Sequence, residues 1–231
     1  MSGVVCNISE EFLEIASTDG NRLARYREAI DNKGKKTAVL IVPSKILNEV
    51  MKMSSFISDD TVKIYTKDSK IVIKSERTTT VSRLVEGQYP RYNQFIPDNY
   101  PKKAVVNVHK MIAALERVSV MVNEKTNIVC LTFADNNLKM ESYAPSAGKS
   151  QDDIDIDYTG GELTIAFNYK FVLEVLRNME SDNVIIQLNT PLSATMFAPE
   201  SQEDYLCLIM PVQLHQQKQE QEEEEQEEVQ E

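Results

Sequence analysis

At 231 residues and 42% hydrophobic side chains, the chain has the length of one to two ordinary domains and enough apolar content to bury a core, so it reads as globular. The formal charge of −11 is mostly a property of residues 215–231, where eight Glu against one Lys carry −7; the remaining −4 neither announces nor excludes a nucleic-acid partner. Cys6, Cys130 and Cys207 are odd in number and far apart, which predicts reduced core thiols rather than a disulfide framework, and no apolar run could cross a bilayer, so a soluble cytoplasmic protein is expected.

In chain order, residues 3–8, 12–17 and 22–28 read as strands. The last two are joined by a tight turn, Thr18-Asp19-Gly20-Asn21-Arg22-Leu23, because Asp-Gly accepts positive φ at no steric cost. A strand at 37–42 leads into a helix on VPSKILNEVMK (42–52), followed by strands at 62–66, 71–76 and 79–84. The order then repeats. A strand at 104–108, a helix on VHKMIAALER (108–117) and strands at 128–133, 138–143 and 153–158 are followed by a strand at 163–167, a helix on FNYKFVLEVLR (167–177) and strands at 184–189, 194–198 and 204–210. Asp152, Asp153, Asp155 and Asp157 alternate around Ile154 and Ile156, which predicts one strand with a wet face.

The helices are copies of one template. Lys45, Glu49, Val50 and Lys52 match Lys170, Glu174, Val175 and Arg177 at an offset of 125, and Lys110, Leu115 and Arg117 form a looser third copy. The predicted class is α+β, built from repeated β-α-β-β-β units. Residues 1–30 are then three strands of a unit without its leading strand and helix. Two units per domain predict a first domain over 1–103, truncated at its N-terminus, a complete second over 104–214, a linker at 97–101 and a disordered Glu/Gln tail over 215–231. The tail is either merely solvated or reserved for a partner.

Each helix carries two cations seven residues apart: Lys45 and Lys52, Lys110 and Arg117, Lys170 and Arg177. Such pairs lie on one face roughly 10 Å apart. They point away from apolar stripes made of Ile46, Leu47, Val50 and Met51, of Met111, Ile112 and Leu115, and of Phe171, Val172, Val175, Leu176 and Met179. Ordinary solvated helix faces and contact with phosphates both fit. Contact of this kind would be weak and independent of base sequence, and Glu49, Glu116 and Glu174 would loosen it further. An enzyme finds little support. His109 and His215 are the only histidines, and HExxH, G-x-S-x-G, G-x-G-x-x-G and Walker patterns are all missing from the sequence.

The succession TDGNRLA, VPSKILNEVMK, LVEGQYPRYNQFIP, NEKTNIVCL, FNYKFVLEVL and YLCLIMPVQL, spread over nearly all of residues 1–214, resembles the bacterial DNA polymerase III beta subunit, or sliding clamp, family. The match is to the second of its three domains, minus the first strand and helix, and to the third. The resemblance implies a DNA-clamp fold with helices on the inner face of a ring and antiparallel sheets outside. It implies a non-catalytic processivity factor for DNA replication, without cofactor or metal, that encircles duplex DNA as a homodimer, with the three cation pairs facing DNA.

The resemblance also implies a pocket for short peptides of the replicative polymerase, the clamp loader and repair proteins. Its walls would be Thr18, Gly20, Asn21, Arg22, Leu23 and Pro90, then Asn168, Phe171, Leu192 and Ala194, and finally Leu208, Ile209, Met210, Pro211 and Val212, with Leu208 to Met210 open to a core reading as well. Peptides with a Gln-Leu start and an apolar or aromatic end would suit it. Val120 and Met121 match the third-domain side of the family's subunit contact.

Asn21 stands where the family commonly has histidine, Gln94 where it often has a basic residue, and Thr126 where some members have an aromatic, so the peptide preference stays open. Family chains usually stop right after the stretch matching 210–214, which makes the acidic tail an addition. A fragmentary gene, a split gene, an expressed fragment and a short natural form would all give the missing first domain. The chain alone is expected not to close a ring, which leaves a peptide-binding adaptor as the rival function.

Overall fold

The computed structural model describes residues 3–32, 36–54, 62–75, 78–97, 99–145, 148–202 and 204–213. The Glu/Gln segment 215–231 lies outside the described residues, as do Leu214, Asp98 of the expected linker and Glu76 at the end of an expected strand. The chain divides into two lobes, Met1–Tyr92 and Asn93–Glu231.

The first lobe contains β1 (Gly3–Ile8), β2 (Phe12–Thr18), β3 (Arg22–Ala29), β4 (Ala38–Pro43), α1 (Ser44–Ser54), β5 (Lys63–Lys67), β6 (Lys70–Lys74) and β7 (Thr79–Arg83). The first four strands form an antiparallel sheet in the order β3-β2-β1-β4, with Val5 opposite both Ala16 and Ile41. The last three form a second sheet with β6 in the middle. Val42, Ile71 and Ile73 are the buried centre between them, packed by Cys6, Leu40, Ile46, Leu47, Val50 and Leu84.

The second lobe contains β8 (Lys102–Asn107), α2 (Val108–Val118), β9 (Ile128–Ala134), β10 (Asn137–Ala144), β11 (Gly148–Asp155), β12 (Asp157–Thr159), β13 (Leu163–Asn168), α3 (Tyr169–Arg177), β14 (Asn183–Leu188), β15 (Thr195–Pro199) and β16 (Tyr205–Ile209). Its sheets run β12-β8-β14-β15-β16 and β11-β10-β9-β13, every pair antiparallel. The two repeats interlock. Strand β8 leads into α2 but pairs with β14 of the following repeat, while β13 leads into α3 and pairs with β9 of the preceding one. Each sheet therefore needs both repeats, and α2 and α3 lie in contact. Phe133, Phe167, Phe197, Met111, Leu115 and Leu176 are all under 2% exposed.

Local chemistry sets the element ends. The Asn107 and Asn168 side chains accept from the Lys110 and Lys170 N–H groups, both at 3.0 Å, so both N-termini are capped by an asparagine, one through the third residue on and the other through the second. The first hairpin after the helix turns through two left-handed residues in both lobes, Asp68 and Ser69 (φ 50° and 58°) and Asp135 and Asn136 (φ 49° and 59°). That geometry matches the right-handed twist of the flanking strands.

Three expectations are corrected. The lobes divide after Tyr92, not after Lys103, because Tyr92 folds back into the first lobe with its ring 8% exposed and its hydroxyl on Glu14. The single strand expected at 153–158 is two strands in different sheets. Ile156 turns inward, 6% exposed, and its N–H donates to the Asn136 carbonyl (2.9 Å), so the chain leaves β10 at Asp155 and joins β8 at Asp157. Met51, expected in the apolar stripe of α1, is 70% exposed.

Candidate functional site

The six helix cations are all exposed, but they fall into two classes. Those in the last turns have carboxylate partners: Lys52 pairs with Glu49 (3.3 Å), Arg117 with Asp152 of β11 (2.6 Å), and Arg177 with Glu116 across the α2–α3 contact (2.6 Å). Those in the first turns, Lys45, Lys110 and Lys170, have no ion pair among the described residues, and the Lys170 ammonium lies 5.9 Å from the Tyr169 ring. A cation near a helix N-terminus opposes the helix dipole by about 0.3–1 kcal/mol. These three lysines therefore stand where local electrostatics disfavours them, whereas the paired ones stand where it favours them. Six expected DNA-facing charges thus include three that are neutralised within the chain.

The first-lobe turn expected in the peptide pocket is built around Asp19. Its carboxylate accepts from the Asn21 and Arg22 N–H groups (3.0 and 3.1 Å) and from the Arg22 guanidinium (2.8 Å), while the Thr18 hydroxyl donates to the Arg22 carbonyl (2.7 Å). Burial would raise the Asp19 carboxyl, but Arg22 and the two N–H groups outweigh it and hold the pKa below the usual carboxylate value. Gly20 completes the turn at φ +96°, with open space beside it. Leu23 is only 5% exposed, so it forms the floor of the turn and not a free surface.

Three residues that sequence reasoning missed hold this turn in place. The Thr18 N–H donates to the Tyr89 hydroxyl (3.1 Å), the Tyr89 and Tyr92 rings meet edge to face, and the Tyr92 hydroxyl donates to buried Glu14 (2.5 Å). Half-buried Pro90 accepts from the Tyr92 N–H (2.8 Å) and is fixed between these anchors. Burial, and then the Glu14 carboxylate, push the Tyr92 phenol up. The signal was present in β2, where Glu14 occupies the inward register with Ala16, an acid at a core position.

In the second lobe the expected pocket residues separate by exposure. Ala194, Leu208 and Ile209 are core, at 7%, 2% and 0% exposed, whereas Met210 and Leu192 present 41% and 59%. Leu192 sits at the tip of a turn closed by the Thr190 and Ser193 hydroxyls (2.6 Å). Pro211, Val212, Asn168 and Phe171 are half-buried, and the Val212 N–H donates to the Ala166 carbonyl (2.8 Å), tying the segment after β16 to the strand that enters α3. Val120 and Met121 lie in the short 3-10 turn Ser119–Met121 after α2, with Val120 77% exposed and Met121 half-buried.

The three thiols are free, and burial pushes those of Cys6 and Cys130 up. Among the described residues no helix is long and apolar enough to cross a membrane.

Comparison with known proteins assigns both lobes. Residues 1–91 match the family model of the DNA polymerase III beta subunit, central domain, and residues 93–213 that of its C-terminal domain. The beta sliding clamp of Synechococcus elongatus is 30% identical over 219 residues and that of Staphylococcus aureus 27% identical over 217; each alignment covers 93% of this chain and 58% or 57% of the relative. A DnaN sliding clamp from Pseudomonas aeruginosa bound to griselimycin superposes with a TM-score of 0.88 at 25% identity, and the beta subunit of Thermotoga maritima with 0.87 at 26%. Both superpositions cover 92% of this chain and 57% of the other. The chain thus spans a little under three fifths of the length of the relatives it matches, and with both lobes accounted for it belongs to the DNA polymerase III beta subunit family.

Proposed function

We propose that this chain is a non-catalytic sliding-clamp component, acting in the cytoplasm in DNA replication. It touches duplex DNA through Lys45, Lys110 and Lys170 and docks polymerase, clamp-loader and repair proteins through short peptides. The observation that carries this reading is the lysine in the first turn of each described α-helix, without a carboxylate partner among the described residues, in a chain whose two lobes both match the family. Three phosphate contacts predict that log K for duplex DNA falls against log salt with a slope of about −2.7. Fluorescence anisotropy on a K45A/K110A/K170A variant checks this: the slope should collapse toward zero, and an unchanged slope would overturn the assignment.

Ring closure is a separate question. The chain alone is expected to make open contact, released by salt from circular and linear DNA alike, with exposed Val120 and half-buried Met121 offered to a partner subunit. Salt-resistant retention on circular DNA only would show that it closes a ring unaided.

For peptides, each lobe offers its own surface: the turn of Thr18, Gly20, Asn21 and Arg22 with Pro90 in the first, and Leu192, Met210, Pro211 and Val212 beside Asn168 and Phe171 in the second. Because Leu23 is core, the informative substitutions are Met210→Lys and Leu192→Lys, on side chains that folding leaves partly exposed. Each should weaken a Gln-Leu peptide roughly tenfold or more in calorimetry. Full affinity in both variants would refute the pocket.

A further inference from the structure

The face of the β5-β6-β7 sheet turned away from the core carries five cations. Alternation along the strands puts Lys63, Tyr65 and Lys67 on one side with Lys70, Val72, Lys74, Thr79, Val81 and Arg83, while Ile71 and Ile73 occupy the other side, in the core. The register sets Lys63 opposite Lys74, Lys67 opposite Lys70, and Lys70 opposite Arg83. Like charges directly opposed across strands are destabilising. All five are exposed, and none has an ion pair among the described residues. The only described carboxylate in the stretch, Asp68, lies in the hairpin turn. Between the cations runs an apolar strip of Tyr65 (51% exposed), Val72 and Val81 (56% exposed).

The equivalent face of the second lobe is self-neutralised. Lys139 stands opposite Asp153, and Glu141 takes Lys139 (2.9 Å) and Lys149 as ion-pair partners. Among the described residues the first lobe thus leaves unpaired a positive face whose counterpart in the second lobe is balanced internally. The chain also contains a strongly negative segment, eight Glu within residues 220–231, with Val229 as its one apolar side chain.

We propose that this Glu-rich segment docks on the basic face of β5-β6-β7 in the same chain. Charge complementarity selects the occupant. Single exposed pairs are weak, but several formed together in a net-positive field, with the existing like-charge repulsion relieved, add up. From Gln213 the chain can extend about 60 Å, roughly twice the diameter of a compact ninety-residue lobe, and the tether raises the effective concentration to the millimolar range. A Glu-rich segment is a polyanion, as DNA is.

Zero-length carbodiimide coupling of the full chain, which joins carboxylates to lysine amines, tests this by peptide mass spectrometry. Glu220 to Glu231 should couple to Lys63, Lys67, Lys70 and Lys74 in preference to Lys45, Lys110 and Lys170, and coupling should fall at least fivefold at high salt. In a Lys70→Glu chain, where like-charge repulsion is relieved and the sheet should fold, coupling to the remaining three lysines should also fall severalfold. Coupling mainly to the helix lysines, no coupling, or coupling only between isotopically light and heavy copies in a mixture would each overturn the proposal. So would protection of Lys63, Lys67, Lys70 and Lys74 from acylation by duplex DNA in a chain whose segment does not couple, which would give the face to nucleic acid.

Discussion

Helices α1 and α3 carry one template 125 residues apart, yet they sit in unlike surroundings. In α3, Val172, Val175 and Leu176 are at most 7% exposed, because α2 and two interlocked sheets close over them. In α1, the counterparts Leu47 and Val50 are half-buried, and Met51, the counterpart of Leu176, is 70% exposed. No second α-helix lies beside α1 among the described residues of its lobe. Among the described residues the outer sheet faces diverge in a parallel way, paired charges in the second lobe and unpaired cations in the first. A repeated motif therefore specifies its elements, while burial and charge balance depend on what the rest of the chain places against them.

The sharpest way to break this comparison is to substitute matched positions. Leu176→Ala should cost about 2–5 kcal/mol, since it opens a cavity in a closed core, whereas Met51→Ala should stay within about 0.5 kcal/mol. Urea unfolding of the two variants measures both, and equal losses would mean that α1 is as buried as α3. Next in size, Tyr92→Phe removes the donor from buried Glu14 and should destabilise the first lobe by about 1.5–3 kcal/mol, leaving amide-exchange protection in β9 to β11 unchanged.

Acid should separate the two outer faces. Burial would raise the Glu141 carboxyl, but Lys149 and Lys139 outweigh it and hold the pKa below the usual value. A depressed carboxylate contributes stability that is present above its unfolded pKa of about 4.3 and is lost as pH falls through the lower folded value. Exchange in β10 and β11 should therefore accelerate below about pH 4, and a Glu141→Gln chain should lose that step. In a chain shortened before Glu220, the β5-β6-β7 face, whose strands carry no carboxylate, should show no matching change. A small stability effect belongs to Glu116→Gln, which removes the Arg177 partner: under about 1 kcal/mol in unfolding, with a DNA salt slope steeper by about 0.9 if that guanidinium reaches a phosphate.

Much of the architecture was legible because it is local. The three helices, the period of two along β14 and β10, and the recurrence of Lys45, Lys110 and Lys170 follow from side-chain spacing alone, and most strand ends lie within a residue or two of expectation. The turn at Asp19-Gly20-Asn21 was also readable, since a left-handed glycine and a carboxylate that accepts from the following N–H groups are properties of that tripeptide.

Tertiary structure alone decided what each element meets. Periodicity marks β8 and β13 as strands but holds no information on their partners, so the exchange of leading strands between repeats could not be read, nor could the crossing between sheets at Ile156. The cation pairs looked alike in sequence because spacing fixes only which helix face a charge occupies. Asp152, Glu116 and Glu49 divided them into paired and unpaired classes, two of the three from other elements. Glu14 and Tyr92 stand 78 residues apart, and no local rule links an inward acid to the phenol that satisfies it. Sequence fixes conformational preference over a few residues, whereas pairing, burial and neutralisation are set by contacts between distant parts of the chain, and these form only when it folds.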